Sequence, residues 1–146
     1  MYFEEIPLNA SADTKKVRIS KSDMQNFAKQ YDPLPLHTDE NYARQTRFGT
    51  IIAPGVMAFM SVWAKYIEDI DFCGSQLIAG KSTHIEWFLP VFENDVLYGR
   101  ATVTAITPRN EYNGIVEITI DVYNQNGALV LRDVTEAVVE RKPADR

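Results

Sequence analysis

Cysteine is almost missing from this sequence. Cys73 is the only one among 146 residues, so no internal disulfide can form. That fits a reducing, cytoplasmic setting. Cys73 also makes a poor nucleophile, because Asp71 lies two residues away and an acid nearby raises a thiol's pKa. Histidine is scarce too, with only His37 and His84. The acidic group Glu68, Asp69 and Asp71 therefore has no histidine or cysteine to complete a metal site, and no metal is expected. Basic runs are absent and the formal net charge is -5, which argues against a nucleic-acid partner. Such a charge still allows an anionic cofactor, since phosphates need only a few local cations. The longest apolar run, residues 51–64, is broken by Pro54 and Ser61 and is too short to span a bilayer. Met1-Tyr2-Phe3-Glu4-Glu5 has neither the basic region nor the apolar core of a signal peptide, so no membrane partner is expected. There is no glycine-rich nucleotide loop and no Gly-x-Ser-x-Gly elbow.

What is present is patterning for one domain over residues 1–146, of a size that buries most of its surface. Residues 13–19 read as a short edge strand. Ser20 with Asp23 three residues on resembles a capping box, so a helix should run from residue 21 to about residue 30, with Met24, Phe27 and Ala28 on one face. Pro33 ends it. Thr38 or Asp39 caps a short helix to about Gln45. Pro54-Gly55 precedes residues 56–67, which are apolar almost all round and predict a buried helix. Four strands follow, over residues 83–91, 95–107, 112–123 and 128–140. The second presents small residues, Gly99, Ala101 and Ala105, on one face; Asn126-Gly127 makes a tight turn before the last. Alternation breaks near Arg132, where a bulge is expected. Long strands with short turns predict an antiparallel meander. The fold class is α+β, a long curved antiparallel sheet wrapped round a buried central helix. Open sheet edges need protection, and pairing with a second copy supplies it, so a homodimer is expected.

The densest chemistry lies in Tyr31-Asp32-Pro33-Leu34-Pro35-Leu36-His37. Each proline disfavours the helical conformation in the residue before it, so this segment is a stiff turn or extended loop. A turn lets Asp32 and His37 converge on one small object such as a water. Carboxylate and imidazole together can hold that water, remove one proton and deliver another. The same residues would also suit a capping aspartate and a histidine satisfied by backbone. Gly55, at the first turn of the apolar helix, exposes backbone N–H groups where the helix carries partial positive charge, a natural donor to a developing oxyanion. Pro-Gly is also simply common at helix starts. His84 reads as a partly exposed strand residue, and Trp63 and Trp87 as core or pocket lining.

Asp32-Pro33-Leu34-Pro35-Leu36-His37, followed by Phe48-Gly49 and Ile51-Ile52-Ala53-Pro54-Gly55, resembles the MaoC-like dehydratase family of the hotdog fold, which includes the (R)-specific enoyl-CoA hydratases. The family motif is Asp-x-Asn-Pro-Leu-His with a glycine eighteen residues beyond the histidine. It matches here at Asp32, Pro35, Leu36, His37 and Gly55. The run Leu89-Pro90-Val91 is similar to the end of the family's first long strand. The resemblance implies that Asp32 and His37 activate the water added to a 2-enoyl thioester, or removed from a 3-hydroxyacyl thioester. It implies that the Gly55 N–H polarises the thioester carbonyl. No metal or redox cofactor is implied; coenzyme A, or an acyl carrier protein, enters as part of the substrate. The thioester would enter near a dimer interface and its acyl part would run along the central helix.

Two positions depart from the pattern. Leu34 replaces the motif asparagine, and Trp63 stands where some members carry serine, which would narrow the acyl pocket toward short or branched chains. Besides the hydratase, two readings fit: a non-catalytic acyl-CoA-binding or structural protein, and a hotdog acyl-CoA thioesterase.

Overall fold

In the computed structural model, residues 1–143 are described. A 3-10 turn, Phe3–Glu5, leads into two short strands, β1 (Ser11–Asp13) and β2 (Val17–Arg18), and a second such turn, Gly74–Gln76, comes later in the chain. Helices α1 (Lys21–Tyr31), α2 (Pro35–Thr38), α3 (Glu40–Arg44) and α4 (Gly55–Asp69) follow. The second half is β3 (Leu77–Trp87), β4 (Val96–Pro108), β5 (Asn113–Tyr123) and β6 (Leu129–Glu140). The sheet order is β1-β4-β5-β6-β3, with β2 also on β4, and every pairing is antiparallel. The expected curved sheet and central helix are both present.

The details differ in informative ways. The single strand expected over residues 13–19 is split, because Thr14 turns inward: its hydroxyl accepts from Gly99 N–H at 2.9 Å and its own N–H donates to Gly99 O at 2.8 Å. The meander holds only for β4, β5 and β6. β3 pairs with β6 on the far side, with Thr83 opposite Thr135 and Trp87 opposite Leu131. β3 also begins at Leu77 and stops at Trp87, six residues before and four before the limits the alternation suggests. Its outer edge has no strand partner among the described residues, so both faces of residues 78–84 are exposed and carry no alternation to read. The irregularity in β6 lies at Val130, between the pairs Val122–Leu131 and Tyr123–Leu129, and not at Arg132.

Helix α4 packs on the inner face of the sheet through Ala58, Val62 and Tyr66, all fully buried. Close approach is possible because Gly99 has no side chain: a Cβ there would lie 2.6 Å from Val62 Cγ1. Burying a side chain such as Val62 is worth roughly 1.5–3 kcal/mol. The expectation that α4 is buried is corrected in part: Val56 and Met60 are each 46% exposed, a stripe at i and i+4 that the described residues leave uncovered. No helix among the described residues is long and apolar enough to cross a membrane.

Candidate active site

Asp32 and His37 converge, by a mechanism more specific than a loop. Asp32 is the C-cap of α1, its N–H donating to Ala28 O at 2.9 Å. Pro33 prevents further helix. Pro35 then opens the one-turn helix α2, pre-set for a first helical position. His37 N–H donates to Leu34 O at 2.9 Å and the Thr38 hydroxyl donates to the same carbonyl at 3.1 Å. The turn is thus closed by backbone and Thr38. The Leu34 side chain points to solvent, so the fold of the segment does not need a polar group at that position.

The His37 ring is buried. Its Nδ1 lies 2.8 Å from Ile52 O, and a carbonyl can only accept, so Nδ1 carries the hydrogen. In the neutral ring Nε2 is then a bare acceptor. It faces Asp32 Oδ2 at 3.4 Å. A carboxylate is also acceptor-only, so these two atoms cannot bond each other without a proton between them. Both can accept from one water molecule, which has one hydrogen for each. Gln25 helps hold the turn, its side-chain amide donating to His37 O at 3.1 Å. Sequence reading missed Gln25, although it sits seven residues before Asp32, two turns earlier on nearly the same side of α1.

Ile52 also ties the turn to the start of α4. Residues 51–53 lead directly into Pro54-Gly55, and Ala53 N–H donates to Val91 O at 2.8 Å, fixing the leader against the segment after β3. Pro54 gives α4 no side-chain cap, unlike Ser20 at α1 and Asp39 at α3. The first-turn N–H groups of α4 therefore have no side-chain cap among the described residues and keep their donor capacity. A Cβ at Gly55 would lie 2.5 Å from Trp87 Nε1, so a larger residue there would have to displace the indole.

Asp32, His37, Gly55 and Trp87 line one pocket of about 410 Å³, with Arg47 and Phe48 at its wall. Arg47 lies over the Phe48 ring, 5.1 Å from its centroid. All three candidate site residues thus meet in one cavity, a carboxylate and an imidazole on one side and a helix N-terminus on the other. The pocket can hold a water against a carbonyl-bearing ligand.

The remaining candidates lie elsewhere. His84 is exposed on β3, 3.2 Å from Glu86. Cys73 is buried, and that burial, with Asp71 adding to it, pushes its thiol up to about 11. Among the described residues no cluster of histidine, cysteine and carboxylates could hold a metal ion. Trp63 lines a second cavity further along α4.

The family model for the MaoC like domain matches residues 5–124. This chain belongs to the MaoC-like family. An (R)-specific enoyl-CoA hydratase from Rhodospirillum rubrum is 32% identical over 116 residues, covering 76% of this chain and 75% of the relative. YdeM, an uncharacterized protein of Bacillus subtilis, is 30% identical over 142 residues, 97% of this chain and 100% of the relative. The crystal structure of a MaoC-like dehydratase from Rhodospirillum rubrum superposes with a TM-score of 0.85 at 29% identity, covering 98% of this chain and 99% of the other. The fold is the hotdog fold, and membership in a family of hydratases and dehydratases supports a hydro-lyase.

Proposed function

We propose that this protein adds water reversibly to a 2-enoyl-CoA, giving a 3-hydroxyacyl-CoA. The observation that carries this reading is the pair of acceptor atoms, Asp32 Oδ2 and His37 Nε2, 3.4 Å apart in the pocket that also contains Gly55. A water held by both has its two hydrogens engaged and its lone pairs free to attack. Its oxygen bonds to C3 of the enoyl group while one proton passes to the Asp32–His37 pair. The electron pair of the double bond moves onto the thioester oxygen as an enolate, which the Gly55 N–H stabilises; a proton returned to C2 completes the product. The reading needs no metal or redox cofactor.

A homodimer belongs to this reading. The exposed stripe of Val56 and Met60, with Trp87, Phe88 and Leu89 beyond it, borders the unpaired edge of β3. A second copy would cover these apolar groups and the edge together. The substrate tail is a coenzyme A or acyl-carrier-protein thioester.

The test is hydration of crotonyl-CoA, followed by loss of the enoyl-thioester absorbance. Wild type should turn over, and Asp32→Asn and His37→Gln should each lose roughly 10²–10⁴-fold while keeping the native circular dichroism. Turnover that survives both changes would remove the acid/base pair from the reaction. Release of free coenzyme A in place of a 3-hydroxyacyl product would make the protein a thioesterase.

A further inference from the structure

One fully buried carboxyl has no role in the reaction proposed above. Asp133, on β6, is 0% exposed. Its Oδ2 accepts from the Thr135 hydroxyl at 2.7 Å, and its Oδ1 has no hydrogen-bond partner among the described residues. Thr135 in turn lies 3.2 Å, oxygen to oxygen, from the Thr83 hydroxyl on β3. Strand alternation puts Asp133 and Thr135 on the same face, toward α4. An acid in the inner face of a hydrophobic sheet costs stability unless it is paired and hydrogen-bonded, and only one of these two oxygens is bonded.

Thr83 and Thr135 form the polar wall of a cavity of about 310 Å³ whose other side is Phe59, Met60 and Trp63 of α4. This cavity continues the line of the catalytic pocket. α4 gives Gly55 and Val56 to the one and, four residues later, Phe59 and Met60 to the other, about 6 Å along the helix. β3 gives Trp87 to the first and Thr83 to the second, about 13 Å apart along the strand.

The hydrogen bonds in the wall have a direction. Burial pushes the Asp133 carboxyl up to about 6, so in mildly alkaline solution it is ionised and can only accept. Thr135 has one hydroxyl hydrogen and spends it on Asp133. The Thr83–Thr135 bond must then be donated by Thr83. Both hydrogens are committed inward, and the wall offers the cavity only oxygen lone pairs. A plain alkyl chain would strip water from these acceptors and return nothing. A carbonyl would meet them with lone pairs of its own. A hydroxyl satisfies them.

On the hydratase reading the acyl chain runs along α4 into this second cavity; we propose that the Thr83–Thr135–Asp133 relay there selects chains whose far end bears a hydroxyl over plain alkyl chains. The assignment of an acyl chain rests on the hydratase reading; the preference for a donor rests on the relay.

Calorimetric titration near pH 8 with octanoyl-CoA and 8-hydroxyoctanoyl-CoA tests it, since neither ligand can be hydrated. The hydroxylated chain should bind about tenfold tighter to wild type, the worth of one well-made hydrogen bond. The ratio should fall to about one in Thr135→Val and in Thr83→Val, and return in Thr135→Ser. Equal binding of the two chains by wild type, binding of neither, or a preference that survives both valine variants overturns the proposal. Crotonyl-CoA is too short to reach the relay, so its turnover is read separately. Turnover without the preference would leave the hydratase standing and remove the relay. The preference without turnover would do the reverse.

Discussion

Replacing Asp133 with asparagine should change how stability depends on pH, by an amount set by the burial of this one carboxyl. Its pKa rises from an ordinary 3.8 to about 6 because burial disfavours the charged form, an effect partly offset by the bond from Thr135 and, less, by the charge of His84. The folded protein therefore holds this proton more tightly than the unfolded chain does. Below about pH 4 the group is protonated in both states and its contribution is fully present. As pH rises through about 6 the unfolded chain releases the proton freely while the folded protein must house a charge, and that stability is lost. A rise of about two pH units, at about 1.4 kcal/mol each, makes the loss about 3 kcal/mol. Asparagine keeps the shape and an oxygen for Thr135 but does not titrate. Its amide would place a buried donor where Oδ1 now lies, a cost that does not vary with pH. The measurement is urea denaturation of both proteins from about pH 3 to pH 8. The stability of Asp133→Asn relative to wild type should improve by about 3 kcal/mol across that range, whatever its value at the acid end. Other carboxylates slope the opposite way. Glu40, bonded to Lys21, and Glu136, bonded to Ser82 and Lys81, are held below the usual carboxylate range and add stability as pH rises. They are common to both proteins and cancel in the difference. Two curves that stay parallel from about pH 3 to pH 8 would show that Asp133 is solvated, and the account of a costly buried charge would fail.

Two further changes probe the site. Gly55→Ala places a Cβ 2.5 Å from Trp87 Nε1, so the indole must move; thermal unfolding should show a loss of about 1–3 kcal/mol, and the double variant with Trp87→Leu should recover most of it. If the single variant is as stable as wild type, the tight contact is not what requires glycine. Trp63→Ala enlarges the second cavity and should raise kcat/KM for acyl chains longer than crotonyl while leaving crotonyl-CoA unchanged; an unaltered chain-length profile would mean that Trp63 does not limit the acyl chain.

The parts of this site that the sequence discloses are those fixed by covalent geometry. Pro33 and Pro35 leave few paths between Asp32 and His37, and the one taken, a helix C-cap followed by a single turn, brings the two side chains together. Gly55 is legible for a similar reason, as a residue without a side chain at the start of a long apolar helix. What the sequence hides depends on partners far along the chain. The pairing of β3 with β6 spans about fifty residues, and nothing local to residues 77–82 marks them as strand, since an open edge imposes no alternation. Trp87 belongs to the pocket of Asp32, His37 and Gly55 only because that pairing sets β3 beside the start of α4.

Asp133 shows how a true signal can be assigned to the wrong cause. The pattern of residues 128–140 loses its alternation near Arg132, and a bulge is the ordinary explanation. The backbone does have an irregularity, but at Val130; through Arg132, Asp133 and Val134 the register is unbroken. What breaks there is polarity and not geometry. A charged residue occupies an inward position in a regular strand, opposite Ile85 on one side and Ile120 on the other. Two physical causes produce the same gap in a hydrophobic pattern, an extra residue that turns the strand over or a polar group kept inside at a cost. Only the pairing register separates them. Where the register is intact the second cause holds: Asp133 is a polar group kept inside a regular strand, behind the Thr135 hydroxyl that it accepts from, and its burial pushes the carboxyl up.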